Sequence, residues 1–205
     1  TCEPGATILI HLNGTDAYAT TTDAADGLTD GFWSYTFAGG LNASATGTAN
    51  TIKAAQRDVA GNLSAYSTAL TVTLDTTASL PGTPDLTAIS DTGDLDDDNI
   101  THIRNVTITG TVEVNSSLQL YVDQGGGPVL MDTISEQYIA TGNWSYTFSL
   151  GQLAEGANHI TVIARDKAYN VSAASGALTV TLDTTIAQPG LPDLVAESDT
   201  GDIDN

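Results

Sequence analysis

In 205 residues the chain carries 25 acidic and 5 basic side chains, a formal charge of −20. That balance excludes nucleic acid and anionic membrane as natural partners, because both need a cationic face. The one cysteine, Cys2, allows no disulfide within the chain, and no apolar run is long enough to span a bilayer. Thr, Val, Gly, Asn and Asp supply strand and turn formers without an amphipathic helical period, so the chain reads as all-β. No basic-then-apolar leader opens it at Thr1, and it is expected to be a piece of a longer polypeptide.

In chain order, Thr1–Asn13 holds a Glu at its third position, a turn and an alternating strand through Ile8 and Ile10. The segment GFWSYTF follows at Gly31–Phe37, then QRDVAGNLSA at Gln56–Ala65 and LTVTLD at Leu70–Asp75. All of these return. Thr111–Asp123, Gly142–Phe148 (GNWSYTF), Ala164–Ala173 (ARDKAYNVSA) and Leu178–Asp183 are their counterparts. The segment that opens at Leu74 and runs to Asn99, LDTTASLPGTPDLTAISDTGDLDDDN, returns from Leu182 at a spacing of 108 (182 − 74), with Asn205 the counterpart of Asp97 (205 − 108). Self-similarity at a fixed spacing marks a tandem array.

The predicted organisation is a first module over 1–75, a linker over 76–83, a complete second module over 84–183, and a linker with the start of a third module over 184–205. In the second module, strands are predicted near Asp85–Ser90 (A), Arg104–Val112 (B), Ser117–Val122 (C), Val129–Ile139 (D), Asn143–Phe148 (E), His159–Arg165 (F) and Ala177–Leu182 (G). Gly125–Gly127 forms a turn. Seven short strands in about 100 residues predict an immunoglobulin-like sandwich. Trp144 and Tyr146 alternate with Asn143 and Ser145, which places the aromatics in the core. The counterparts of strands A and B in the first module fall before Thr1. An unpaired edge would result unless adjoining chain or a neighbouring molecule's C-terminal segment completes it.

The shared words Asp75-Thr76-Thr77, Pro84-Asp85-Leu86, Ser90-Asp91-Thr92-Gly93, Asn99-Ile100-Thr101, Gly142-Asn143-Trp144-Ser145-Tyr146 and Arg57-Asp58-Val59-Ala60-Gly61-Asn62 cover nearly the whole chain. In them the repeat resembles the bacterial immunoglobulin-like extender modules of giant surface adhesins, such as RTX and biofilm-associated adhesins. The pattern departs from that family at Ser79 and at Tyr169-Asn170. The resemblance implies a cell-surface spacer that binds calcium where domains join.

The acid supports that expectation independently. Asp91–Asn99 reads DTGDLDDDN, with Asp94, Asp96 and Asp98 alternating. Calcium takes six to eight oxygens at ~2.3–2.6 Å, which a short carboxylate loop can supply. The loop lacks the glycine and terminal glutamate of an EF-hand. Its bland reading is a solvated Asp-rich turn. A partial copy recurs at Asp199, Asp202 and Asp204. Sandwich topology places Asp91–Asp98 and Asp183 at the trailing pole, where the chain leaves a module, with Asp193 opening the next. Glu113 and Asp166 sit at the leading pole, facing Asp75 and Asp85 of the incoming linker, and Glu3 and Asp58 are their first-module equivalents. The expected cofactor is therefore Ca2+, shared between consecutive modules. The bland reading of Glu113 and Asp166 is surface charge, paired with Arg165 or Lys167.

Other chemistry is weakly supported. His11, His102 and His159 lack zinc spacing and read as strand residues. No nucleophile elbow organises the Ser, Asp and His residues, and Gly125–Gly127 lacks the lysine and helix of a phosphate loop. Eight Asn-X-Ser/Thr sequons, at Asn13, Asn42, Asn62, Asn99, Asn105, Asn115, Asn143 and Asn170, read as chance in a chain dense in these residues. The expected function is a non-catalytic, calcium-stiffened extender of an extracellular bacterial adhesin or filament, serving adhesion or biofilm formation. Its partners would be neighbouring repeats, without nucleic acid or membrane insertion. The alternatives are a glycan- or protein-binding module and an accessory domain of a secreted enzyme. A cadherin is a weaker rival, because its linker words are missing.

Overall fold

The computed structural model describes residues 2–3, 5–21, 33–43, 47–135, 139–193, 195 and 198, with the side chains of 17–21 excepted. Among the described residues there are thirteen strands and no helix. The N-terminal part holds β1 (Thr7–Leu12), β2 (Thr15–Thr21), β3 (Thr48–Arg57) and β4 (Leu70–Leu74). They form one antiparallel sheet in the order β2-β1-β3-β4. Asn13 and Gly14 take the positive φ that the tight β1–β2 turn requires.

The C-terminal part is a two-sheet sandwich. One sheet contains β5 (Asp85–Leu86), β7 (Thr107–Thr111) and β10 (Asn143–Thr147), in the order β10-β7-β5. The other contains β6 (Ile100–Thr101), β8 (Ser117–Asp123), β9 (Val129–Ile134), β11 (Gly156–Arg165), β12 (Val171–Ala174) and β13 (Leu178–Leu182). Its order is β6-β13-β11-β8-β9, and β12 pairs with β11. The side-chain period of two sorts each strand into a core face and a solvent face. Leu118, Leu120 and Val122 of β8 alternate inward against Ile160, Val162 and Ala164 of β11. Val106, Ile108, Trp144 and Phe148 close the core from the other sheet. Trp144 lies directly across from Gly110. A Cβ on Gly110 would stand 2.6–2.9 Å from the indole, so only glycine admits the ring there.

Two expectations are corrected. The strand expected as D, Val129–Ile139, is β9, ends at Ile134 and pairs with β8. It therefore extends the sheet of β8 and β11 and does not join that of β10. Strand A is short, because Thr87–Ser90 closes a turn whose backbone bonds run from Ser90 and Asp91 to the Thr87 carbonyl. Trp33–Phe37 is not a strand, although its counterpart β10, which pairs with β7, is. Trp33, Tyr35 and Phe37 still alternate half-buried with exposed Ser34 and Thr36. The edge-to-face Tyr35–Phe37 pair, 5.1 Å between centroids, repeats the Tyr146–Phe148 pair at 5.0 Å.

Candidate functional site

The acidic loop between β5 and β7 has an inner and an outer part. Asp91 is 6% exposed, and its Oδ2 accepts a 2.9 Å hydrogen bond from the Asn99 amide. Its Oδ1 is buried with no hydrogen-bond partner. Asp98 is half-buried and folds back over Gly93, where a Cβ would meet its carboxylate at 2.6–2.9 Å. Its Oδ1 accepts from the Ile100 amide at 3.0 Å. Asn99 takes φ 60°, which turns the chain back into β6. Asp94, Asp96 and Asp97 are exposed. An orphaned, buried carboxylate oxygen is expensive to leave unpaired. A hard cation satisfies it, so the donor set of Asp91 and Asp98 fits calcium.

The leading pole is built differently. Asp166 is buried at the end of β11, and both its oxygens accept from Asn170: the backbone amide at 2.9 Å and Nδ2 at 2.8 Å. Asp58 and Asn62 repeat the arrangement, each bond 2.7 Å long. The bonds from Asn62 hold the Asp58 carboxyl below the usual carboxylate range. This Asp–Asn clasp closes the F–G turn, so both aspartates have a structural role whether or not they bind metal. The expected ion-pair partner of Asp166, Arg165, instead stacks on Tyr169 at 4.5 Å from the ring centroid.

Asn170 also reaches the linker, donating from Nδ2 to the Asp75 carbonyl at 3.2 Å. Glu113 accepts from the Ser79 amide at 3.4 Å, and Gly82 donates to the Thr111 carbonyl at 2.9 Å. The leading pole of the sandwich therefore grips the segment that precedes it. Pro81 and Pro84 are buried there, whereas their repeats Pro189 and Pro192 are exposed. Glu3 and Asp58 line a small cavity of about 180 Å³ with Gln56 and Asn62. Asp75 and Asp183 each cap their own linker, accepting from the amides of Thr77 and Thr185. Asp85 and Asp193 are exposed. Asp199, Asp202 and Asp204 lie outside the described residues. Among the described residues, no three His, Cys, Asp or Glu side chains converge as a metal-holding group. Of the predicted ligands, Asp91 and Asp98 both fold in under the trailing-pole loop, bonded to the successive amides of Asn99 and Ile100, and Glu113 and Asp75 make linker contacts at the leading pole.

Sequence reasoning missed a clamp at the trailing pole. Arg104 donates from Nη2 to Glu155 Oε1 and to Thr184 Oγ1, both at 2.6 Å. Glu155 also accepts from the Thr184 amide at 3.1 Å and from the Thr184 hydroxyl. The bonds from Thr184 lower the Glu155 carboxyl below its ordinary value, and Arg104 adds to that. No local motif marks this trio, because Glu155 lies 51 positions from Arg104 and 29 from Thr184. His11 bonds Asp16, His102 bonds Thr92, and His159 bonds Thr179.

A family model described as "Bacterial Ig-like domain" matches residues 77–184. Similar solved structures include a tetra-tandem repeat in the extending region of a large adhesion protein, at 22% identity and TM-score 0.39. That likeness covers 89% of this chain and 43% of the other, so the chain spans less than half of that structure. The fibronectin(III)-like modules of Clostridium thermocellum CbhA share 15% identity over 94% of this chain and 86% of theirs, at TM-score 0.38. The human OSCAR ligand-binding domain shares 15% over 87% and 85%, at TM-score 0.35. No curated protein matches the chain.

Proposed function

The chain belongs to the bacterial Ig-like domain family, and we propose that it is a non-catalytic extender of an extracellular bacterial adhesin or filament, stiffened by calcium at its junctions. The observation that carries this reading is the buried, unpartnered Oδ1 of Asp91 inside an acidic loop. Asp91 and Asp98 would hold one ion. Asp75, Asp85, Glu113 and Asp166 would offer oxygens at the junction ahead of the sandwich, as Glu3 and Asp58 would one repeat earlier. Asp183, Asp193, Asp199 and Asp202 would serve the junction that follows. Bound calcium supplies positive charge where a chain of −20 concentrates its carboxylates. Extracellular calcium modules work at submillimolar to millimolar affinity, which suits a surface protein. The role is to hold successive repeats in line and project a distal domain for adhesion or biofilm formation.

Thermal unfolding of the full chain in millimolar calcium and in chelator tests the reading. Millimolar calcium, at about 10-fold over a submillimolar dissociation constant, stabilises by about 1.4 kcal/mol, which reads as a rise of a few degrees in melting temperature. Asp91→Asn removes most of that rise while shifting the chelated protein by less than about 1 kcal/mol. Superimposable melts with and without calcium contradict the reading.

A second reading rests on a cleft of about 890 Å³ at the open edge between β9 and β10, lined by Thr109, Thr111, Ser145, Trp144 and Tyr146. Hydroxyl-bearing walls with Asp132 among them, over the buried Trp144, suit a glycan. Glycan-array binding that is lost in Ser145→Trp would favour it.

A further inference from the structure

The outer part of the acidic loop, Asp94–Asp97, plays no part in the inner Asp91–Asp98 pair. At its tip Leu95 is 61% exposed among aspartates, and the repeat places Ile203 at the same position. An aliphatic side chain held out of an acidic turn gains nothing from water. The opposite pole presents exposed cations and apolar side chains, while its own carboxylates Asp58, Asp166 and Glu113 are turned to Asn62, Asn170 and the Ser79 amide. Of the five basic residues, Arg57, Arg165 and Lys167 lie where the F strands end, at the leading poles. Beside them stand exposed apolar side chains: Val59, 87% exposed, in the N-terminal part, and Tyr169, 71% exposed, with Val114 in the sandwich. Tyr169 occupies φ 69°, where its repeat counterpart is Gly61. A tyrosine in that region is strained, and stacking on Arg165 holds its ring in place. This same pole already grips incoming chain through Asn170 and Glu113.

We infer that the outer segment Asp94–Asp97 docks on the leading pole of the following repeat, with Leu95 against the apolar side chains of the turns there and its aspartates facing the cations that end strand F. The inference rests on the tandem-array reading above. The loop then has two roles, since the inner carboxylates take the ion and the outer segment takes the next module. The rim charges contribute little individually. The linker keeps the two poles at high effective concentration, so a weak contact suffices.

The test compares two proteins, the 205-residue chain and the same chain extended after Asn205 by a second copy of residues 98–183, which completes a following repeat. Amide hydrogen exchange is followed in residues 94–97, in calcium and in chelator. Docking slows exchange there by at least about 10-fold in the extended chain relative to the shorter one under the same conditions. Leu95→Ser restores the faster rate, and high salt shortens the protection. Equal exchange in both chains, or protection that survives Leu95→Ser, overturns the inference. Because each comparison is made at fixed calcium, calcium-dependent melting without loop protection would sink this inference and leave the extender reading standing.

Discussion

Asn158 is fully buried, yet it accepts from the Ala154 amide and from Gln124 Nε2, and it donates to the carbonyls of Ala154 and Gly156. It pins the E–F loop to the start of β11. Asn50 repeats this in the N-terminal sheet, bonding the Asn42 amide and the carbonyls of Asn42 and Thr48. Asn158→Ala leaves buried backbone groups without partners, so we expect a loss of about 2–4 kcal/mol in urea unfolding, equal with and without calcium. The sequence shows the asparagine but not its burial, since a single polar residue beside a strand reads as a turn former. Several sequons have the same kind of explanation. Asn13, Asn99 and Asn115 hold φ of 51°, 60° and 59°, a backbone region that asparagine tolerates better than most residues. Asp91 was legible as an acidic-loop member, but the split between inner and outer aspartates depends on which side chains fold under the loop.

Between elements, the repeat provides its own control. Leu70 of β4 and Leu178 of β13 occupy equivalent positions, yet Leu70 is 60% exposed and Leu178 is 6% exposed. The difference comes from the sheet of β5, β7 and β10, which faces β13 in the sandwich. Leu178→Ala should therefore cost about 2–4 kcal/mol, whereas Leu70→Ala should cost less than about 1 kcal/mol, both by denaturant titration. Strand patterning made β1, β8, β11 and β13 legible, but not β3. It could not assign β9 to its sheet, because an alternating edge strand suits either side of a sandwich.

The Glu155 clamp gives a pH prediction at the same scale. Its folded carboxyl lies below its ordinary value of 4.5. The contribution is thus fully present above that value and is lost as pH falls through the lower folded value. Protection of the Thr184 amide, taken relative to its intrinsic exchange rate at each pH, should fall as the solution is acidified below pH 4.5, and Glu155→Gln should show low protection already at neutral pH. Exchange at Thr184 that ignores both changes would falsify the clamp.

For the molecule as a whole, each pole of the sandwich holds the chain that runs past it. The leading pole holds incoming chain by direct hydrogen bonds, through Asn170 to the Asp75 carbonyl, Glu113 to the Ser79 amide and Gly82 to the Thr111 carbonyl. The trailing pole clamps outgoing chain at Thr184. Calcium, in the proposed role, adds charge neutralisation to junctions already shaped by these bonds. At −20 the chain repels itself, and that repulsion is screened only over about 8 Å at physiological salt. The 108-residue spacing was readable directly from the sequence, because the words Leu74-Asp75-Thr76-Thr77, Pro84-Asp85-Leu86 and Ser90-Asp91-Thr92-Gly93 all return at that spacing. The clamps were not, because they join side chains from separate loops.

Small-angle X-ray scattering of the full chain, titrated from chelator into millimolar calcium at constant ionic strength, addresses the stiffening most directly. The account predicts a maximum dimension that becomes better defined and a Kratky profile that loses its high-angle rise as calcium is added, with Asp91→Asn and Asp98→Asn each weakening the change. Identical profiles across the titration, with no calcium taken up, would contradict it.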